Sequence, residues 1–413
     1  MNKGILISSL VLSLLTLASV QATAQEGGKI HVGNLKIIPG LTVQEIYDDN
    51  IYLGNGTNNT SELEESDWIT HFMPSLIFDY TFPERGSLRL GYQGDLAYYS
   101  GNDINDWKTH KGFFALDYQA PGGLILGVNN VYTDAEDPYG SLNDYNLGVP
   151  NSERWTNDLK SKLGYTFSNR FKILGYYNFY KQDYEEVVDY TQDHYDNEFG
   201  AGFQMRLLPK TWGFIRYHYG EREYFTHPAG TGSNERNDSD YNWHRANAGL
   251  TWDSGAKLSG EVNFGFQWRD YDNATDINGN RYDDRDTWIA STAVNYNATS
   301  TTIISLNIAR AVRDSDSNTN QYYEDTSIGA FLRQTLLNKF TLFAGFTYAN
   351  YDYNLPVNRS RDDDNFMANL KLDYQIQDWL KAGAGYTYNK RDSNYEVNSF
   401  TDNQFMISLS GMY

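Results

Sequence analysis

The feature that most constrains the fold of this chain is a two-residue alternation of apolar and polar side chains, repeated from segment to segment. From Leu258 to Trp268, one set of alternate positions is mainly apolar, and the other carries Ser, Glu, Asn and Gln. The segment from Phe366 to Tyr374 follows the same rule. Successive side chains of a β-strand point to opposite faces, so each segment is predicted to be a strand with one apolar and one polar face.

The connections between these strands alternate strictly between short turns and long polar loops. The short connections are rich in turn-forming residues and lie at 83–86, 121–123, 168–170, 209–210, 253–255, 297–300, 337–338 and 377–378. The long connections are acidic and rich in Asn, Asp and Gly, and examples lie at 54–66, 137–153, 227–240, 273–284 and 357–364. This asymmetry is typical of transmembrane barrels, which have short periplasmic turns and longer extracellular loops. The sequence therefore predicts an all-β fold, a transmembrane up-and-down antiparallel β-barrel of about 18 strands, with about 16 as the alternative count.

The first residues have the composition of a secretory signal peptide. Lys3 supplies a positive charge, residues 4–20 form an apolar run, and Ala22-Thr23-Ala24 is a small-x-small cleavage motif. The predicted division is a signal peptide at 1–24, a short periplasmic segment at 25–38 and the barrel at 39–413. A single transmembrane anchor is the alternative, but the apolar run is shorter than the roughly 20 residues of a spanning helix.

The composition agrees with an exported barrel and limits its chemistry. Aromatic residues make up 15% of the chain and Tyr alone numbers 34, as expected where aromatic girdles mark both membrane interfaces. The sequence contains no Cys, which excludes disulfides and thiolate chemistry. The net charge of -20 disfavours nucleic acid as a partner. We expect no cofactor.

The C-terminal segment is an amphipathic strand that ends on an aromatic residue. Phe405, Ile407, Leu409, Gly411 and Tyr413 occupy alternate positions. Such a strand resembles the signal that the outer-membrane barrel assembly machinery recognises, so we expect this machinery, outer-membrane lipid and lipopolysaccharide as partners. A soluble β-sandwich also alternates, but its strands are usually about 5 to 6 residues long. It also explains neither the asymmetric loops nor the export signal.

Four short motifs in the N-terminal part carry a family resemblance. The run IPGLTVQEIYDDNI at 38–51 is followed by DWI at 67–69, MPSL at 73–76 and LRLGY at 88–92. In these residues the chain resembles the putative beta-barrel porin-2 family, and the barrel pattern covers the rest. The resemblance implies a large single-chain barrel encoded with exopolysaccharide synthesis and export genes. It also implies an outer-membrane exit for polysaccharide that pairs with a periplasmic polysaccharide-export protein.

The polar faces of the strands are the predicted inner wall, because a barrel of about 16 to 18 strands encloses an aqueous channel unless something fills it. The N-terminal segment is too short for a plug domain, so we expect any narrowing to come from an infolded loop, 137–153 or 227–240. The pore-lining candidates are Arg89, Asp95, Lys160, Lys162, Arg206, Arg216, Glu261, Arg269, Arg333, Lys371 and Lys381. A polar interior is also what any water-filled barrel needs, and a one-residue register slip would exchange the two faces.

The loops and the histidines offer weaker candidates for a site. The acidic loops either bind divalent cations that bridge lipopolysaccharide or form a solvated surface. Asp276, Asn278, Asn280 and Asp283 resemble a fragment of a calcium loop, without its full ligand spacing. The seven His are scattered, and neither a Gly-x-Ser-x-Gly nor a His-Glu-x-x-His motif is present, so no enzymatic activity is predicted.

Three functions remain open from the sequence. The leading hypothesis is an outer-membrane pore that serves as the exit for an exopolysaccharide or capsule-type polymer, with both termini in the periplasm. A general diffusion porin for small hydrophilic solutes is the first alternative, and a structural or adhesive outer-membrane protein is the second. The pore follows from the strand pattern, whereas polymer export follows from the resemblance alone. The solute, the gating and the oligomeric state stay open.

Overall fold

The structure is a computed structural model that describes residues 30–56, 64–137, 152–185, 192–225, 239–252, 257–275, 279, 281–314, 322–353 and 361–413. Several sequence predictions therefore lie outside the described residues. They are the signal peptide, the first part of segment 25–38, most of the two longest loops, and three of the four calcium-loop candidates: Asp276, Asn278 and Asn280.

Long antiparallel strands account for most of the described chain. They are β1 Ile30–Val32, β2 Leu35–Asp48, β3 Asp67–Phe82, β4 Gly86–Tyr99, β5 Trp107–Gln119, β6 Leu124–Asp137, β7 Ser152–Phe167, β8 Phe171–Tyr184, β9 His194–Leu208, β10 Thr211–Tyr224, β11 Tyr241–Trp252, β12 Leu258–Tyr271, β13 Arg285–Asn297, β14 Thr302–Asp314, β15 Tyr322–Leu336, β16 Phe340–Tyr353, β17 Arg361–Gln377, β18 Leu380–Ser393 and β19 Phe400–Met412. Two short 3-10 turns, Asp103–Asn105 and Glu396–Asn398, interrupt connections between strands. Among the described residues, no helix is long and apolar enough to cross a bilayer.

The strands close into a barrel because the last strand pairs with the first. Each strand from β2 to β19 pairs with its sequence neighbours, and β19 pairs antiparallel with β2 from Gln404↔Asp48 to Met412↔Gly40. The barrel has 18 strands, which confirms the predicted fold and count. The short β1 forms a hairpin with the start of β2. Strand β2 begins at Leu35, inside the segment assigned to the periplasm, because Leu35 to Ile38 already pair with β3.

The alternation of the sequence separates an outer from an inner face. Large apolar side chains such as Ile215, Phe264 and Ile407 are about 60% exposed and belong to the outer set, as a lipid-facing band requires. Outer aromatic pairs, including Tyr47 with Trp68 at 5.2 Å between ring centroids, lie near the strand ends. The intervening positions face inward and carry most of the charged strand residues.

The two ends of the barrel differ, and we name them by their connections. At the turn end, β7–β8 and β15–β16 are joined by three-residue connections, each of which contains a β-turn whose two central residues have positive φ: 51° and 51° at Ser168 and Asn169, 51° and 58° at Leu337 and Asn338. Such turns match the right-handed twist of paired strands. At the opposite loop end, the connections include the long acidic segments, most of which lie outside the described residues.

Candidate functional site

The inner face holds all eleven residues that the sequence proposed for the pore wall. The register places each of them opposite in parity to the exposed apolar set of its strand. Most have a polar partner: Arg89 pairs with Asp79 at 2.9 Å, the Asp95 carboxylate lies 2.9 Å from His71 Nδ1, and Arg216 pairs with Glu261 through two bonds of 2.8 and 2.7 Å. That these residues line a conducting path stays a prediction.

The turn-end half of the inner wall is open to solvent. Lys160 pairs with Asp158 and Lys162 pairs with Asp117, both at 2.7 Å, and their side chains are 63% and 42% exposed. Lys371 and Lys381 flank the buried Asp373 at 3.3 and 3.8 Å, respectively. Arg206 and Arg333 complete the set, with their guanidinium groups 4.5 Å from the Trp212 ring and 5.9 Å from the Phe343 ring, respectively. This half is therefore a water-reached vestibule with charges of both signs.

In the loop-end half, side chains of strands that are not neighbours in the sheet meet inside the barrel. Arg222 on β10 binds Asp196 through two bonds of 2.6 Å and reaches Asp314 on β14 at 2.5 Å. Asp314 also accepts bonds from Arg269 at 2.6 Å and from the Tyr241 hydroxyl at 2.8 Å. Arg269 is only 3% exposed, in contrast to the lysines of the vestibule.

The hydrogen bond from Arg222 to Asp314 shows that the barrel wall does not have a circular cross-section here. Four strand spacings separate β10 from β14, or about 19 Å along the sheet. An Arg and an Asp side chain together reach roughly 10 Å from their Cα atoms. The loop end of β14 must therefore bend into the barrel to bring Asp314 within reach.

Strand pairing gives the origin of this bend. Strands β13 and β14 pair only from Asn297↔Ile303 to Ala290↔Arg310, so the last residues of β14 leave β13 and remain paired with β15 alone. Asp314 has the parity of the outer set, with Ile304, yet it lies among inward-facing arginines. The loop-end tips of β14 and β15 are therefore tucked inside the barrel, with their outer face against β12 and β13.

Ion pairs hold the tucked strands in place. Arg269 and Arg285 lie directly opposite each other on β12 and β13, an arrangement that is unfavourable for like charges. Asp314 pairs with Arg269, and Glu324 on β15 pairs with Arg285. Glu324 also pairs with Arg310, whose guanidinium donates to the Trp288 carbonyl oxygen at 2.6 Å, on a strand edge that lacks a backbone partner. We call the five residues Arg222, Arg269, Arg285, Asp314 and Glu324 the inner ion cluster.

A second buried group adjoins the inner ion cluster at the loop end, on β15, β16 and β17. Tyr323, Tyr351 and Tyr353 are almost fully buried and pack together, with ring centroids 5.0 and 4.9 Å from that of Tyr323. The Arg361 guanidinium lies 4.4 Å from the Tyr353 ring and pairs with the buried Asp363 at 2.6 Å. Among the described residues, strand ends produce the narrowing, whereas the two loops predicted to fold inward lie largely outside them.

The alternation could have identified Arg222, because it shares the polar face of β10 with the candidate Arg216. Asp314 and Glu324 could not have been identified, because their parity assigns them to the lipid face. These residues lie inside the barrel because the β13–β14 pairing ends before the strand tips. Where the pairing ends depends on backbone contacts and does not change the alternation in the sequence.

A closed 18-strand barrel with an apolar exterior and a charged, partly hydrated interior defines an integral outer-membrane β-barrel with a porin-like pore. The family comparison agrees with this class. The chain belongs to the family described as Putative beta-barrel porin 2, whose sequence profile matches residues 25–412.

The comparison with solved structures finds outer-membrane proteins of low similarity. OccAB4 of Acinetobacter baumannii is 12% identical with a TM-score of 0.44, covering 91% of this chain and 98% of that one. OccK2 of Pseudomonas aeruginosa, solved with glucuronate, is 10% identical with a TM-score of 0.46, covering 92% and 99%. A bacterial polysaccharide outer membrane secretin is 8% identical with a TM-score of 0.35, covering 93% and 100%. None of the curated proteins matches the chain.

Proposed function

We propose that this protein is an outer-membrane conduit through which a secreted polysaccharide leaves the periplasm, and that it is not an enzyme. The observation that carries the proposal is the shape of the charged interior, which is a hydrated vestibule at the turn end and an ion-paired constriction at the loop end. A duct wide enough for a polymer would leak small solutes if it stood open. A constriction held by ion pairs can close such a duct at rest and yield during export.

The proposed orientation places the turn end in the periplasm, since short turns face the periplasm in outer-membrane barrels. Both ends of the barrel sequence, the start of β2 and the end of β19, lie at this turn end. The vestibule would then open toward the periplasm, where a polysaccharide-export protein could deliver the polymer. The C-terminal strand, with Phe405, Ile407, Leu409 and Tyr413 on its outer face, would serve as the assembly signal.

The export function is tested by deleting the gene in the native host. We expect surface polysaccharide to disappear and polymer to accumulate in the periplasm, with both restored by the wild-type gene. Normal surface polymer in the deletion strain would refute export. A neighbouring cluster of glycosyltransferase and polysaccharide-export genes would be an independent sign in favour of it.

A general diffusion porin is the second candidate, favoured by the solvent exposure of the vestibule lysines. It predicts steady conductance from the purified protein alone in planar bilayers, together with liposome swelling in small sugars. The export conduit predicts a mostly closed channel under the same conditions, because the inner ion cluster holds the loop end shut. One recording therefore separates the two functions.

The position of the inner wall is tested by labelling, which the absence of native Cys makes straightforward. Lys162 and Leu163 are adjacent on β7 but face opposite sides, so Lys162→Cys and Leu163→Cys form a matched pair. We expect a charged, water-soluble thiol reagent to modify the first variant in membranes and not the second. The reverse pattern would show that the register is shifted by one residue.

A further inference from the structure

Three carboxylates meet at the loop end of the seam where β19 closes the barrel on β2. Asp48 is the last residue of β2, Asp49 follows it, and Asp402 lies on β19 beside them. One oxygen atom from each lies within 4.8 Å of the others. Asp48 and Asp402 are 6% and 1% exposed, so two of the three charges are withdrawn from bulk water.

Neutral amide groups hold these carboxylates in position. Asp48 accepts from the Asn50 backbone N–H at 2.8 Å and from Gln404 at 3.0 Å. Asp49 accepts from the backbone and side-chain nitrogens of Asn403 at 2.7 and 2.8 Å. The Oδ2 atom of Asp402 accepts from Asn389 at 2.8 Å and from Gln404 at 3.1 Å. In the part of the chain that the structure describes, no Lys, Arg or His forms an ion pair with any of the three.

The Oδ1 atom of Asp402 is the second observation that points to a ligand. It is fully buried and accepts no hydrogen bond from any described residue, although its carboxylate lies against that of Asp48. A buried carboxylate without a positive partner is strongly unfavourable, and two of them side by side are more so. The site therefore calls for a positive charge that the described side chains do not supply.

We propose that Asp48, Asp49 and Asp402 bind one Ca²⁺ ion that ties β2 to β19 at the closure of the barrel. Ca²⁺ takes oxygen ligands at about 2.3–2.6 Å in flexible geometry, so oxygens on opposite sides of one ion lie up to about 5 Å apart. The observed spread of 4.8 Å fits within that limit. Three carboxylate oxygens leave the remaining positions to water, and the three negative charges exceed the two positive charges of the ion by one.

The ion would act at the seam between β19 and β2, which no loop connects covalently. The pair Gln404↔Asp48 is the last of the β19–β2 ladder at the loop end, and the Asn50 side chain already bridges the seam by donating to the Thr401 carbonyl at 2.8 Å. A cation on the two strands would fix this end of the seam against fraying. The site is separate from the calcium-loop candidate around Asp283, which lies between β12 and β13.

The test measures the heat stability of the purified full-length mature protein in detergent, with Ca²⁺ added or removed by chelation. Ca²⁺ at a hundred times its Kd should increase the folding equilibrium constant about a hundredfold, and Tm should rise accordingly. Asp402→Asn should abolish this Ca²⁺-dependent rise and should raise the stability of the chelated protein, because it removes one buried like charge. Asp373→Asn, at a buried carboxylate flanked by lysines, is the control and should keep the full Ca²⁺ response.

Two results would overturn the proposal. One is a wild-type Tm and a calorimetric titration that do not respond to millimolar Ca²⁺, which would mean that the carboxylates share a proton instead. The other is a Ca²⁺ response that survives in Asp402→Asn. If that variant does not fold, Asp49→Asn replaces it, since Asp49 is less buried, and the same loss of response is expected.

Discussion

Replacing Asp314 with Asn tests whether the inner ion cluster closes the barrel. The Asp314 carboxylate is the junction between the β14 tip and the opposite wall, because it accepts bonds from Arg222, Arg269 and Tyr241. The substitution keeps the size of the side chain and removes its charge. Arg222 keeps Asp196 as a partner, whereas Arg269 loses its only ion pair among the described residues.

The size of the effect follows from the burial of the pair. Removing one partner of a buried ion pair costs about 3–5 kcal/mol, and the lower end applies here because the Asp314 side chain is 18% exposed. These contacts exist only while the β14 tip is tucked inward, so the loss falls on the closed state. About 3 kcal/mol corresponds to roughly a hundredfold shift toward the untucked state, since every 1.4 kcal/mol is tenfold.

Single-channel recording in planar bilayers measures this shift directly. We expect wild-type protein to be mostly closed and Asp314→Asn to show frequent or sustained openings. Asp325→Asn is the matched control, because Asp325 is a buried carboxylate of β15 that pairs with Arg313 on the adjacent strand at 3.4 Å and so holds nothing across the interior. Equal conductance in wild type and Asp314→Asn would refute the closing role of the cluster.

Three further predictions follow from the two faces of the barrel. Glu324→Gln releases Arg285 and Arg310 together, so bilayer recordings should show openings like those of Asp314→Asn; an unchanged closed channel would contradict the tucked arrangement. In the opened Asp314→Asn channel, Lys160→Glu combined with Lys162→Glu should shift the reversal potential in a salt gradient toward cation preference, and an unchanged reversal potential would contradict a vestibule lined by these lysines. Ile407→Arg should cost about 2–4 kcal/mol in refolding titrations, whereas Ser408→Arg, on the inner face, should cost much less; equal costs would contradict the register.

The fold could be predicted because its information is local and repeated. The alternation identifies the two faces of each strand. Turn-forming residues such as Ser168 and Asn169, which have positive φ in the structure, identify the turn-end connections. Eighteen strands supply the same signal many times, so the prediction of a closed antiparallel barrel survives an error in any one of them, although the count does not. The eleven candidates on the inner face follow from the same rule.

The constriction could not be predicted, because it depends on where pairing stops. Alternation gives the face of a residue relative to its own strand, and it assigns Asp314 to the same face as Ile304. It does not reveal that β14 leaves β13 beyond Arg310, which turns the outer face of the strand tip toward the interior. The only trace in the sequence is an excess of charge on an apolar face, at Arg310 and Asp314, and such charge is equally common where a strand simply leaves the membrane.

The proposed cation site, like the constriction, could not be predicted from the sequence. The sequence directs attention to Asp283 and its neighbours, because closely spaced acids resemble a calcium loop. The three carboxylates that the fold brings together come from the first and last strands of the closed barrel, and Asp48 and Asp402 meet only when β19 pairs with β2. Closure of a barrel is the longest-range contact in the chain. The ligands of a site at the closure therefore have no characteristic spacing in the sequence. Its ligands become visible only as acids that the strand pairing buries together without a counter-charge.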